Sequence, residues 1–221
     1  MQRVLHVTHL THRYASSSGG RRVLEDLNLD IQAGQLVGVL GESGAGKTTL
    51  LLNCGTMLKP TAGRVEIKGR SVYDVADGER TRIRAREVGY LFQTLQLIPY
   101  LTLRDNLRLP SGSSDAAADV WLDRVGLVDW ALHKPDALSH GQRQRGALAR
   151  ALVHKPDLLI ADEPTGNLDR QNSELVFRVL RDYADAGGAV LVASHDEKIE
   201  EFADHCWSLQ EGTLTGVSHQ T

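Results

Sequence analysis

The sequence predicts an α/β fold built on a parallel sheet, and three observations carry that prediction. Residues 36–40 and 158–161 are short, almost wholly apolar runs, the pattern of strands covered on both faces. Between the second run and a third, residues 189–193, the side chains Leu175, Val176, Val179, Leu180 and Tyr183 recur with helical spacing. Strand, helix and strand in succession imply a parallel sheet crossed by helices.

Taken in order, residues 4–10 and 23–31 read as strands, the second alternating through Leu27, Leu29 and Ile31 as a half-buried strand does. A flexible Ser/Gly turn, residues 16–20, joins them. Residues 36–40 lead into a glycine-rich loop, and a helix is expected from Thr48 to about Leu58, where Lys59-Pro60 stops it. Residues 64–68 and 88–92 read as further strands. The stretch from about 94 to 151 is mainly helical, with a polar break at residues 111–114, and reads as an inserted lobe. No internal repeat is visible, which argues against a second copy of the unit in this chain.

Composition narrows the classes. With 221 residues, 41% of them hydrophobic, the chain can bury one substantial core, as one domain or two coupled lobes. Lys and Arg number 25 against 28 Asp and Glu, so no broad positive field gathers nucleic acid. The apolar runs are strand-sized, far below the roughly 20 residues of a membrane span. The first residues lack the apolar core of a secretory leader, so the expectation is a cytosolic chain. Cys54 and Cys206, far apart in sequence, read as reduced, buried thiols. His6, His9 and His12 do not read as a metal site, because on a regular strand His9 points away from the other two.

The chemistry concentrates in a few segments. Gly41-Glu42-Ser43-Gly44-Ala45-Gly46-Lys47-Thr48 fits the Walker A pattern and lies between a buried strand and a helix. Its glycines let successive backbone N–H groups face phosphate oxygens, and the helix start adds its positive end. Lys47 suits the β- and γ-phosphates of a nucleotide, Thr48 a Mg²⁺ ion, and Thr49 the α-phosphate side. Asp162 and Glu163 follow the apolar run 158–161 in the Walker B arrangement, Asp162 placed for Mg²⁺ and Glu163 for the attacking water. His195 and Gln93 also follow strands. They are candidates for sensing the γ-phosphate and for ligating Mg²⁺ or that water, respectively.

Leu138-Ser139-His140-Gly141-Gln142, just upstream of Asp162, resembles the LSGGQ signature of the ABC (ATP-binding cassette) ATPases. The resemblance runs from Tyr14 to Leu214. Ser139 and Gln142 have capping-box spacing, so a helix with free N–H groups should begin here. The resemblance implies a P-loop NTPase with a RecA-like parallel-sheet core, an N-terminal antiparallel β subdomain and an inserted helical subdomain. One domain would span residues 1–221, with core and β subdomain over about 1–93 and 152–221 and the helical subdomain over about 94–151. It further implies an ATPase using ATP and Mg²⁺, in which Ser139, His140, Gly141 and Gln142 of one copy meet the nucleotide held by another. The partner copy is the same chain or a related ATPase. His140 departs from the pattern, standing where the family usually has glycine, and is read as a tolerated substitution, against impaired closure or an added polar contact. Asn167-Leu168-Asp169 resembles the D-loop at the dimer interface, and Tyr14 the aromatic that stacks on adenine.

The segments Asp162 to Asp169 and Leu97 to Thr102 are similar to the subgroup of lipoprotein-releasing, macrolide-exporting and cell-division ATPases. This implies an integral-membrane permease as partner, docked near Leu95, Leu97, Ile98 and Tyr100, and a place on the cytoplasmic side of the inner membrane. Arg80, Arg82, Arg84 and Arg86 read as a solvated charged face rather than a lipid-binding one. The alternative, a soluble ABC ATPase in nucleic-acid repair or translation, predicts a coiled-coil insertion or tandem cassettes, and the sequence shows neither. A small-molecule kinase would lack the segment at 138–142.

Overall fold

The computed structural model describes residues 2–15, 20–110 and 113–217. Most of the expected Ser/Gly turn (16–19) and part of the polar break (111–112) lie outside the described residues.

Strands β1 (Arg3–Tyr14) and β2 (Arg21–Gln32) pair antiparallel, and β4 (Ala62–Ile67) and β5 (Arg70–Ser71) extend them into a sheet ordered β2-β1-β4-β5. Two facing irregularities reset their inward pattern. His9 and Asp26 have φ of 49° and 54°, and His9 Nδ1 lies 2.7 Å from Asp26 Oδ1. Before them Leu5, Val7, Leu29 and Ile31 face the core; beyond them Leu10, His12 and Leu24 do, because one extra residue shifts the alternation by a face. The period-two reading of the histidines is therefore corrected: His6 is partly exposed beside Asp30, while His12 is buried. Among the described residues no cluster of metal-ligating side chains forms.

The second sheet contains β3 (Leu36–Leu40), β6 (Val88–Leu91), β7 (Leu158–Asp162), β8 (Ala189–Ser194), β9 (His205–Gln210) and β10 (Thr213–Gly216), in the order β10-β9-β3-β8-β7-β6. All its neighbours are parallel except β9 and β10. Its two faces serve two cores, which explains the continuous apolar runs. Leu158, Ile160, Leu191 and Ala193 pack with β1, β2 and helix α1 (Lys47–Cys54), whereas Leu159, Ala161, Val190 and Val192 pack with helices α3 (Leu103–Arg108), α4 (Asp115–Arg124), α5 (His140–Leu152) and α6 (Arg170–Asp185).

Helix α1 ends at Cys54, short of the expected Leu58. Gly55 N–H closes on Leu51 O, Thr56 turns to φ 64°, and the amides of Met57 and Leu58 both return to Leu52 O. Thr56 in the left-handed region ends the helix before Pro60 is reached, and a side chain at Gly55 would stand 2.8 Å from the Tyr90 ring. A further helix, α2 (Asp77–Glu87), was not expected, because Ile83 is its one buried residue and Ala76 at its start offers no side-chain cap. Acids in its first turn and arginines in its last suit the helix dipole. Arg80 pairs with Asp77, Arg82 with Glu79, and Arg84 donates to Thr56 O, which disperses the basic run around the helix.

Candidate active site

Four adjacent parallel strands end side by side. Leu40 pairs in register with Ser194, Asp162 with Ala193, and Leu91 with Ala161, so the residues that follow each strand emerge along one edge. The loop Gly41–Thr48, His195, Glu163 and Gln93 therefore share a cleft of about 740 Å³, which Tyr14, Asp162 and Asn167 also line. Of the loop, Glu42, Ser43, Gly44, Gly46, Lys47 and Thr48 face this cleft, with Thr49 behind them. Gly41 and Ala45 face a larger depression of about 1030 Å³ on the loop's other side. The smaller cleft is the candidate, because Lys47, Thr48, Asp162 and Glu163 all open into it and none of them lines the larger depression.

Backbone geometry explains the glycine spacing. Gly46 begins α1 at φ 108°, and a side chain at Gly41 would stand 2.6 Å from Leu209 O. Lys47 is buried, its Nζ donating to Gly41 O at 2.5 Å and Glu42 O at 3.2 Å and lying 3.3 Å from Glu163 Oε1. The ammonium is thereby held inside the curl of the loop, beside the Glu163 carboxylate.

Asp162 is 3% exposed. Burial raises its carboxyl above the usual range; a hydrogen bond from the Thr48 hydroxyl opposes that, and Glu163 adds to it. Its Oδ1 is buried without a hydrogen-bond partner. A hard carboxylate oxygen left unmet beside a hydroxyl fits a Mg²⁺ ion, which commonly takes one or two carboxylates and completes its shell with phosphate and water. Glu163 sits at φ 48°, its amide donating to Ala193 O at 2.8 Å. Its Oε2 receives His195 Nδ1 at 2.7 Å and the His195 amide at 3.3 Å. The Tyr14 ring is 43% exposed, with its hydroxyl 3.2 Å from Thr49 Oγ1 and the His12 ring packed edgewise at 4.7 Å.

The signature segment forms the expected cap. Ser139 Oγ accepts from Gln142 N at 3.2 Å, and Gln142 Oε1 accepts from Ser139 N at 2.8 Å, leaving the first amides of α5, including those of His140 and Gly141, outside its ladder. Of these residues only His140 lines the chain's own cleft. Asn167 reaches it at φ 60°, Leu168 N–H closes a turn on Thr165 O, and Asp169 caps α6. Sequence reasoning missed Arg21 and Val23, which line the cleft beside Tyr14. It also missed Gln144, which is buried, because the polar run Gln142-Arg143-Gln144-Arg145 gives no sign of which side chain turns inward.

With this geometry in place, comparison with known proteins is direct. The family model described as ABC transporter matches residues 24–166. The chain belongs to the ABC transporter family. An ABC relative in Maricaulis maris, the lipoprotein-releasing system ATP-binding protein LolD, is 38% identical over 96% of each chain. The macrolide export ATP-binding/permease protein MacB of Burkholderia pseudomallei is 36% identical, matching 96% of this chain but 34% of its own length. Among solved ABC structures, the dimeric post-hydrolysis state of the ATP-binding cassette MJ0796 bound to ADP and Pi superposes with a TM-score of 0.91. That match has 33% identity and covers 98% of this chain and 99% of the other. The P-loop α/β fold expected from the sequence is the ABC ATPase fold, and this ABC chain is an ATPase.

Proposed function

We propose that this ATPase drives a separate integral-membrane permease from the cytoplasmic face of the membrane, in lipoprotein release, export or mechanical transmission. Two copies close on two ATP molecules and open after hydrolysis. The observation that carries the hydrolytic part is the Glu163 carboxylate held between Lys47 and His195. The resemblance to LolD and MacB supports the permease, and the dimeric cassette supports the pairing. No helix among the described residues is long and apolar enough to cross a membrane.

In this mechanism the Walker A amides and Lys47 hold the β- and γ-phosphates, and Tyr14 stacks on the adenine. Thr48, Asp162 and Gln93 would hold Mg²⁺, which would supply charge neutralisation at the phosphates. Glu163 accepts a proton from the attacking water and His195 keeps that carboxylate oriented. Ser139, Gly141 and Gln142 of the second copy present the start of α5 to the γ-phosphate, and Asn167, Leu168 and Asp169 meet their counterparts across the two-fold axis. The chain acts as one cassette, with a helical subdomain over about 94–151 and its core and β subdomain on either side. Leu95 and Leu97 pack partly buried against the helical core, Ile98 is also partly buried, and Tyr100 at 73% exposed is the most accessible residue of the permease-docking patch.

Co-expression with the integral-membrane product of a neighbouring gene tests the proposal. Co-purification from solubilised membranes with Mg²⁺-dependent phosphate release is expected. Recovery only in a soluble, nucleic-acid-bound form would overturn it.

A further inference from the structure

The turn that carries Glu163 is gripped from α5 at two points. Gln144, 2% exposed, donates from Nε2 to Pro164 O at 2.7 Å. One helical turn earlier, His140 Nε2 lies 3.3 Å from Gly166 O, where it can only donate to the carbonyl. Residues four apart share one helix face, so both side chains reach the same turn together. The turn itself is closed by Gly166 N–H on Glu163 O and Leu168 N–H on Thr165 O, and it places two non-glycine residues, Glu163 and Asn167, at positive φ. Such conformations persist only when the surroundings over-determine them. The helix also approaches closely here, since a side chain at Gly141 would meet Asn172 of α6 at 3.4 Å.

We infer that His140 is a positioning residue for hydrolysis: together with Gln144 it clasps the turn after Glu163 within its own chain, holding the carboxylate against Lys47 and His195. The histidine is thus a functional addition at a position the family usually fills with glycine, and its ring works on its own subunit's turn rather than on the partner's nucleotide. Gln144 anchors the clasp in the buried interior, and His140 sets its outer end at the edge of the cleft. Because α5 begins at the signature segment, movement of that helix reaches Glu163 through these two hydrogen bonds.

The inference rests on Glu163 acting on the attacking water. Full-chain ATPase kinetics with H140G, H140Q and E163Q test both separately. In H140G, kcat falls about threefold to tenfold, the scale of one neutral hydrogen bond, while KM for Mg-ATP stays within about twofold. H140Q, whose amide can donate to the same carbonyl, recovers most of kcat. Amide exchange across residues 163–169 quickens in H140G and returns to the wild-type rate in H140Q, and the loss of kcat at constant KM, restored by H140Q, is the readout that a merely structural role for the ring would not move. Should H140G fail to fold, H140A carries the same expectation. An unchanged kcat, a rise in KM alone, or a loss that H140Q does not restore would each overturn the clasp; the second outcome would place the ring on the partner's nucleotide. If E163Q keeps wild-type turnover, the reading of Glu163 fails, whatever H140G does.

Discussion

His195 Nδ1 lies 2.7 Å from Glu163 Oε2, on the carboxylate oxygen opposite the one that faces Lys47. Each oxygen therefore has its own partner, and the carboxylate plane is set from two strands at once. The main chain reinforces this, since Glu163 N–H donates to Ala193 O and the His195 amide approaches Oε2.

Replacing Glu163 by Gln keeps the shape and removes the proton acceptor. Phosphate release is expected to fall on the order of 10²- to 10⁴-fold, the range for loss of a general base. ATP binding persists, and a dimer accumulates in ATP on size-exclusion chromatography. Wild-type turnover would remove Glu163 from the mechanism.

Tyr14 presents a half-exposed ring pinned at its edge by His12 and at its hydroxyl by Thr49. Y14A is expected to weaken ATP binding by roughly 1–3 kcal/mol, the scale of stacking a base on an aromatic ring. Y14F, which keeps the ring and loses only the Thr49 contact, should stay close to wild type. Equal losses in both variants, read by calorimetry, would assign the effect to the Tyr14 hydroxyl and its Thr49 contact rather than to stacking.

Asp204 joins distant parts of the core. Its Oδ2 accepts from Leu36 N at 2.7 Å and from Arg181 Nη1 at 2.8 Å, and Arg181 also donates to Gly34 O. Burial would raise this carboxyl, but the hydrogen bonds from Arg181 and Leu36 outweigh it and hold the group below its ordinary 3.8. D204A strands the amide of the fully buried Leu36, at a cost of about 1–3 kcal/mol. The half-exposed charge pair adds little beyond that. A fall in Tm of about 2–4 °C per kcal/mol is expected for a chain of this size. Since the folded pKa is depressed, the advantage over D204N is complete above pH 3.8 and fades as pH drops below it.

His154 supplies a second pH dependence. Burial lowers its pKa from 6.5, only partly opposed by its contact with Val88 O at 3.3 Å. The unfolded chain then takes up the proton first, so stability is complete above pH 6.5 and declines as pH falls below it. H154Q, whose amide can still reach Val88 O, should flatten that slope in urea melts between pH 7 and 5. An unaltered slope would transfer the effect to His12, whose pKa burial also lowers.

Much of the site was legible beforehand because it depends on local order. A glycine loop between strand and helix, two acids after a buried strand, and a Ser…Gln cap each carry their geometry within a few residues. Helix α2 was not legible, since a single buried side chain gives no periodicity to read. The end of α1 was misplaced because the chain turns left-handed at Thr56, a residue type that gives no stop signal, ahead of the Lys59-Pro60 pair. His6 and His12 on β1 were assigned to one face, whereas the paired irregularities at His9 and Asp26, which arise from strand pairing, turn them to opposite faces.

The order of residues by itself determined the phosphate loop, the two carboxylates and the capped signature helix, since short-range backbone geometry and hydrophobic pattern suffice for each. Tertiary structure alone decided which carboxylate oxygen faces His195 and which faces Lys47, and brought His140 and Gln144 onto the turn beyond Glu163. Those contacts join segments about 20 to 100 residues or more apart, and only the register of parallel strands and the seating of α5 against the sheet bring such distant groups within hydrogen-bonding reach.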